Sequence, residues 1–506
     1  MPRHPLLGTT SLTLAAFAGT GALADVTPAD VWDSYVSYYE ATGATVNGTL
    51  EADGDAMVVR NNGLTYVLPF GIATIRLDMP EMRLTGQGDG TVAITYPETF
   101  DLALSMDVPE QGAGDATIAV TQTGHVGTAS GDPGNVTFSH SADSLRAEAK
   151  ELNIPDIDVD FVMQVLSQGY DLTSTVTTGD LITVDTDMAL ETADIAYVIS
   201  TPDGAVVSNT GQFGRTTSES QMALPAGGSD VLNLSAALQA GAYLRGTSSS
   251  ESNTSETITT FDNQVVSEQS STSGQTDTRF SVDAAGLDLF VEAASSTFTA
   301  LMPDMLPFPI EGSLGAATVG YKFPLLPSEE PQDVGLRVGL SDLVISDGLW
   351  NIFDPAGELP RDPASLNIDV AGSVISGIDL LNFATLESQF NQAVPPITAE
   401  SVTINDLSVS AVGASAKASG AFTLDMTDME TFPGFPRPTG DAILEVSGAN
   451  TLIDRLVNMG LIGPDEAGMA RLSMGFIARA TGDDRFETVV AVTEDGQVMV
   501  NGQRMR

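Results

Sequence analysis

Phe100–Val108 reads F-D-L-A-L-S-M-D-V. Phe100, Leu102, Leu104, Met106 and Val108 alternate with Asp101, Ala103, Ser105 and Asp107. Side chains of an extended chain point to opposite faces in turn, so this pattern marks a strand with one apolar and one wet face. The alternation recurs at Ile157, Val159, Phe161, Met163 and Val165. It recurs again at Ile182, Val184, Met188 and Leu190, with Thr186 in the gap. Asp53-Gly54, Gly88-Asp89-Gly90, Gly131-Asp132-Pro133-Gly134 and Asp203-Gly204 supply turns between such runs. Strands in series joined by short turns imply meanders or a sandwich, not strand–helix–strand units. No fixed repeat period accompanies them. The expected fold is mainly β: long antiparallel meandering sheets, able to curve into a groove or close as a sandwich, with a small α+β C-terminal module.

Outward from this stretch, the chain opens with a leader. Arg3 and His4 are followed by an apolar and small-residue run from Leu6 to Gly19, and then by Ala22-Leu23-Ala24. That order is expected of a cleaved signal peptide over 1–24, with a mature start at Asp25. The run is shorter than the ~20 apolar residues a spanning helix needs. The expected destination is the periplasm, as a soluble mature form. The chain has no cysteine, hence neither a disulfide nor a lipidated lipobox cysteine. Twenty Lys and Arg stand against 67 Asp and Glu, a formal charge of −47. Such a surface repels phosphates, which argues against nucleic acid and against anionic lipid headgroups.

Thr27-Pro28-Ala29-Asp30 reads as a helix start: a capping hydroxyl, a proline at the first position, and an acid at the positive end. Val31, Trp32, Tyr35 and Tyr38 or Tyr39 follow at helical spacing, and Gly43 stops the helix. A short helix is expected within Val231–Tyr243. Arg245–Arg279 is rich in Ser, Thr, Gln and Asn with a few scattered apolar residues. It reads as a polar hairpin at a sheet edge, with a linker as the alternative. Strands are expected at Asp283–Val291 and Ile310–Phe323. Trp350–Pro363, W-N-I-F-D-P-A-G-E-L-P-R-D-P, carries three prolines. It reads as a stiff crossover with no helix through it, and with Trp350, Ile352 and Phe353 plugging a core. The chemical alternative is a binding loop.

Beyond that loop, Leu366–Val370 reads as a strand and Ile378–Phe390 as a helix ended by Pro395-Pro396. Val402–Val409 reads as a strand with a bulge near Asn405-Asp406. Phe422–Met426 is expected to pair back across Gly413, and Ile443–Val446 is a further strand. Leu452–Leu461 reads as a helix capped by Asn450. A second helix starts at Pro464-Asp465-Glu466 and carries Met469, Leu472 and Phe476 on one face. Asp495-Gly496 turns a terminal hairpin over Phe486–Met499. The expected organisation is a β-rich region over 25–340 and an α+β module over 341–506, within one continuous unit.

Several stretches carry a resemblance. They are L-W-N-I-F-D-P-A-G-E-L-P-R-D-P from Leu349, L-S-V-S-A-V-G-A from Leu407, G-A-N-T-L-I-D-R-L-V-N-M-G-L from Gly448, T-E-D-G-Q-V-M-V-N-G-Q-R-M-R at the end, and A-D-V-W at Ala29–Trp32. They resemble the bacterial domain-of-unknown-function 2125 family, over the mature chain, with 200–340 similar only in texture. The resemblance implies an exported protein of about this length and carries no catalytic or binding residues. In texture the chain is also similar to AsmA-like envelope proteins, which implies long curved sheets whose apolar inner face cradles lipid.

Catalytic vocabulary is sparse. His125 and His140 are the only histidines after the leader. His140 near Asp143 and serines invites a triad, but no G-x-S-x-G elbow exists, and ordinary strand histidines are the expectation. No H-E-x-x-H or Cys/His cluster is present for zinc. Ser415-Ala416-Lys417 lies in a small-residue strand, where a dyad lysine lacks the desolvation it needs. Asp156, Asp158 and Asp160 share one strand face, with Asp185 and Asp187 a weaker echo. A solvated face is expected there and calcium is the alternative, since Phe161 stands where a calcium loop has glycine. A carboxylate pair for glycoside hydrolysis is not singled out among 67 acids.

The expectation is therefore an exported envelope protein without enzymatic activity or cofactor, holding a lipid or an envelope protein along its sheet. Strands apolar on both faces, as Gly63–Ile75 partly is, and inward Leu68 or Ile72 would fit that. The alternatives are a periplasmic hydrolase with a carboxylate pair, and an acidic assembly factor without a ligand.

Overall fold

The computed structural model describes residues 25–68, 73–109, 112–153, 159–229, 233–383, 385–390 and 397–505. The expected leader over 1–24, Asp156, Asp158 and Ile72 lie outside them. The described strands form a single antiparallel sheet in which each long strand pairs with those before and after it in the chain. Short segments combine into longer strands. Leu181–Leu190 and Thr192–Ser200 both pair with Asp160–Thr177 in one unbroken register. Ala205–Phe213 and Thr216–Pro225 continue them in the same way. The expectation of long antiparallel meanders holds.

The breaks inside these long strands line up across the sheet. Gly124 lies against Asp143, Gly169 against Glu191, Gly214 against Ser252, Gly274 against Ser295, and Gly315 against Asp342. Gly124, Gly169, Ser295 and Asp342 have φ of 62°, 62°, 47° and 51°. A non-extended residue in a strand turns the following side chains over. Apolar alternation accordingly changes step there. Phe161, Met163 and Val165 precede the break in one strand, and Leu172 and Val176 follow it. Because neighbouring strands break together, register is preserved and the sheet acquires a transverse crease.

Helix α1 (Pro28–Ala41) forms as expected. Thr27 Oγ1 accepts from the Asp30 N–H, and Asp30 accepts from the Thr27 N–H in return. Its apolar side, with Val31 and Trp32, packs on Val59, Met82, Leu84, Val92, Ile94, Ala129 and Val136. Its C-terminal end covers Val176, Ile182 and Val184. Helix α2 (Leu234–Gln239) seals the sheet further along, packing with Leu325, Leu326, Val282 and Phe323. Both helices sit at the strand ends that carry the turns near 134, 179, 285 and 325. Helix α3 (Asp347–Phe353) and the pair α5 (Ala449–Asn458) and α6 (Pro464–Ile477) occupy the opposite strand ends. The chain exposes 28,684 Å². A compact monomer of 52.6 kDa would expose about 17,600 Å². Most of the sheet is therefore a single layer.

Several expectations are corrected. Arg245–Arg279 is not an edge hairpin. It supplies the whole of Asn253–Phe261 and Gln264–Ser273, most of Tyr243–Ser250 and half of Thr276–Asp283, each paired on both sides. Ser and Thr dominate because both faces there meet water. A helix does enter the Trp350 stretch, ending at Phe353 before the first proline. Ile352 and Phe353 are exposed and plug no core. The loop is held instead by buried Asp354, whose carboxylate accepts from the N–H groups of Glu358 and Leu359, both at 2.9 Å. The helix expected over Ile378–Phe390 is confined to α4 (Leu386–Phe390). Gln389 Oε1 accepts the Asp379 N–H at 2.7 Å, which fixes the preceding stretch as a loop.

Candidate functional site

The registers of eight successive strands from Gly286–Leu301 to Arg485–Val492 place apolar side chains in rows. One row runs Val291, Val319, Val338, Ile368, Leu407, Ala418 and Leu444, each directly opposite the next. A second runs Leu289, Tyr321, Leu336, Val370 and Ile404. A third runs Ala293, Ala317, Leu340, Leu366, Val409, Ala416, Val446 and Phe486. Directly paired residues share a face, as do residues two apart on one strand, so the three rows form one apolar surface. The bulge expected at Asn405-Asp406 is present, between Ile404 and Leu407. It keeps both of those residues on the apolar side.

Among the described residues no helix covers this surface at its centre. Val319 is 46% exposed, Leu336 48% and Val409 47%. At one margin it is closed by α2 with Leu325, Leu326, Leu380 and Leu381. The opposite face of the same strands is mainly polar, with Phe290 under Arg337 and Ile443 as apolar exceptions. Arg337 pairs with Asp369 and Lys322 with Asp333, and Glu292, Thr318, Asn367, Ser408, Lys417 and Glu445 lie in one row. The side-to-side contrast is what an acyl chain or another apolar body would read.

The residues weighed for chemistry do not converge. His125 Nε2 and His140 Nδ1 lie 3.3 Å apart with their rings stacked, beside Tyr96. His140 thus meets its fellow histidine, and Asp143 lies instead against Gly124. Burial, and secondarily the charge of His125, pushes His140 down to about 4. Burial also lowers His125. Burial raises the Tyr96 phenol, whose O–H donates to Met82 Sδ at 3.3 Å. Ser415 Oγ contacts Ser447 Oγ at 2.9 Å, while solvated Lys417 lies 3.9 Å from Asp406, so Ser415 and Lys417 engage different partners. Asp185 and Asp187 lie exposed on Leu181–Leu190, beside a shallow depression shared with Arg245 and Arg279. Among the described residues no cluster of three or more His, Cys, Asp or Glu gathers for a metal.

Sequence reading marked Leu366, Ile368, Val402 and Leu407 as strand residues but not as parts of one uncovered surface. The rows arise from the pairing of successive strands, and no single strand's alternation shows that the shared face is left uncovered. Among the described residues no helix is long and apolar enough to cross a membrane. No known family model matches the chain, and no curated protein is significantly similar to it.

Proposed function

We propose that this is an exported, non-enzymatic envelope protein that holds the acyl portion of a lipid against its apolar sheet face. The observation that carries the reading is the third row, from Ala293 to Phe486, which crosses eight strands. Seven strand spacings make it about 34 Å long. One bilayer leaflet offers an acyl length of about 15 Å, half of the ~30 Å hydrocarbon core, so the surface can take a whole chain. An acyl chain asks for apolar contact and no hydrogen bond. An extended peptide would need a free strand edge, and these strands are paired on both sides. Export is supported by the leader's composition, and the resemblance to the domain-of-unknown-function 2125 family fits an envelope setting.

The test is native mass spectrometry with lipid extraction on the mature protein from its own compartment, followed by titration with a fluorescent fatty acid. The wild type should carry or bind a chain, and Leu336→Asp with Val409→Asp should lose it. Glu292→Gln on the polar face should not. A wild type that binds no chain, or a double variant that binds equally well, would overturn the proposal.

A further inference from the structure

Helix α6 is built inside out. Met469, Leu472 and Phe476 recur at helical spacing, yet they are 65%, 62% and 76% exposed. Leu461 and Ile477, at either end, are exposed as well. Ala467 is buried, and Arg471 turns inward to α5, where its guanidinium meets Asn450 Oδ1 and Asp454. The packed side thus carries Ala467, Arg471 and half-buried Met474, while Met469, Leu472 and Phe476 face outward. A soluble helix normally shows the reverse.

The charge of this segment also departs from that of the chain. Over residues 449–477 three acids, Asp454, Asp465 and Glu466, stand against Arg455 and Arg471, a net charge of −1 in a protein of net charge −47. Elsewhere the acidic surface resists approach to a membrane and would repel a second copy of itself. Here a helical hairpin of net charge −1 presents an apolar ridge and lies at the sheet end opposite α1 and α2. Both features match the interface of an uncharged bilayer, which rewards apolar insertion and asks for no positive patch.

We propose that the α5–α6 hairpin seats the protein on a zwitterionic lipid bilayer, with α6 lying in the interface and Met469, Leu472 and Phe476 inserted. The inference is independent of the acyl-binding reading, because it concerns a different surface and a different measurement.

The experiment is flotation of the full mature chain with phosphatidylcholine vesicles at physiological ionic strength. The wild type should float with the vesicles. Leu472→Asp with Phe476→Asp should weaken partitioning about tenfold or more, the loss expected from removing two inserted side chains. Met305→Asp, at an exposed site on a different loop, should leave it unchanged. In a second measurement, Phe476→Trp should shift its emission to the blue when vesicles are added. Failure of the wild type to float, equal flotation of the double variant, or no emission shift would overturn the proposal. So would a wild-type dimer that the double variant dissociates with flotation unchanged, since α6 would then be covered by a second copy. Fatty-acid titration of the same double variant separates the two readings: it should bind the probe normally.

Discussion

Gly169 lies directly against Glu191, at the point where two neighbouring long strands break together. At φ of 62° Gly169 holds a conformation that costs an L-residue about 1–2 kcal/mol. Gly169→Ala should therefore destabilise the protein by about that amount in urea unfolding. Ser295 takes the same conformation without being glycine, at φ of 47°. Ser295→Gly should be neutral or stabilising by about 0.5 kcal/mol, once the greater backbone freedom of glycine in the unfolded chain is set against the relieved strain. A crease built of such residues predicts this opposite pair of signs. If both substitutions destabilise equally, the positive φ angles are not what shapes the crease.

The crease also explains what the sequence disclosed and what it hid. Phe100–Val108 and Ile182–Leu190 were legible because apolar and polar residues alternate along them with a period of two; that alternation buries Ile182 and Val184, while Leu104 and Met106 stay exposed. Asn253–Phe261 and Gln264–Ser273 read only as a polar edge hairpin, because water reaches both faces and nothing in their composition says that strands pair on both sides of them. Asp495-Gly496 named its hairpin from local backbone chemistry alone, and Gly496 has the positive φ, 73°, that such a turn asks for. Ile352 and Phe353 misled because aromatic and apolar identity does not say whether a partner exists to bury them. The apolar rows were hidden for the same reason: each strand showed its alternation, and none showed that the face would be left uncovered.

Val412 and Gly413 form the tight turn between Ile397–Ala411 and Ala414–Asp425, at φ of 50° and 81°. Two successive left-handed residues are the geometry that Asn-Gly turns favour, and a β-branched side chain at the first position is strained. Val412→Asn should raise stability by about 1 kcal/mol. The backbone carbonyl that accepts from Arg455 is untouched by the substitution. A thermal melt shows the effect as a higher Tm. A lower Tm would mean that packing of the valine methyl groups outweighs the backbone strain.

His140 sets a pH dependence. Burial brings its pKa in the fold to about 4, below the ordinary value of 6.5. Above pH 6.5 both folded and unfolded chains hold it neutral, and its preference for the fold is fully present. As pH falls from 6.5 towards 4 the unfolded chain takes up the proton and the fold does not, so stability is lost across that window. The loss should be on the order of 3 kcal/mol by pH 4. His140→Phe keeps the ring against Tyr96 and removes the proton site. Urea unfolding at pH 7 and pH 5 should show a smaller drop for the variant than for the wild type. Equal drops would place the acid sensitivity elsewhere.

Asp484 caps a helix from 33 residues away, which no local sequence rule anticipates. The expected cap of α5, Asn450, lies inside the helix, and Gly448 precedes it with no side chain to offer. Asp484 instead accepts from the N–H groups of Asn450 and Thr451, at 2.9 and 3.0 Å, and from the Thr451 hydroxyl at 2.8 Å. Burial pushes its pKa up, but the donors from Thr451 and Asn450 outweigh that and hold it below the usual carboxylate range. The cap is therefore complete above the unfolded-chain value near 3.9 and is lost as pH falls through the lower folded value. Asp484→Ala should cost about 0.5–2 kcal/mol, the span for losing a helix cap. Asp484→Asn, which keeps an acceptor and tolerates the positive φ of 48°, should recover much of it. Amide hydrogen exchange gives the local readout: Asn450 and Thr451 should exchange faster in the alanine variant while Val489 and Val490 stay protected. If exchange rises equally along Arg485–Val492, Asp484 supports the whole sheet edge and not the helix start alone.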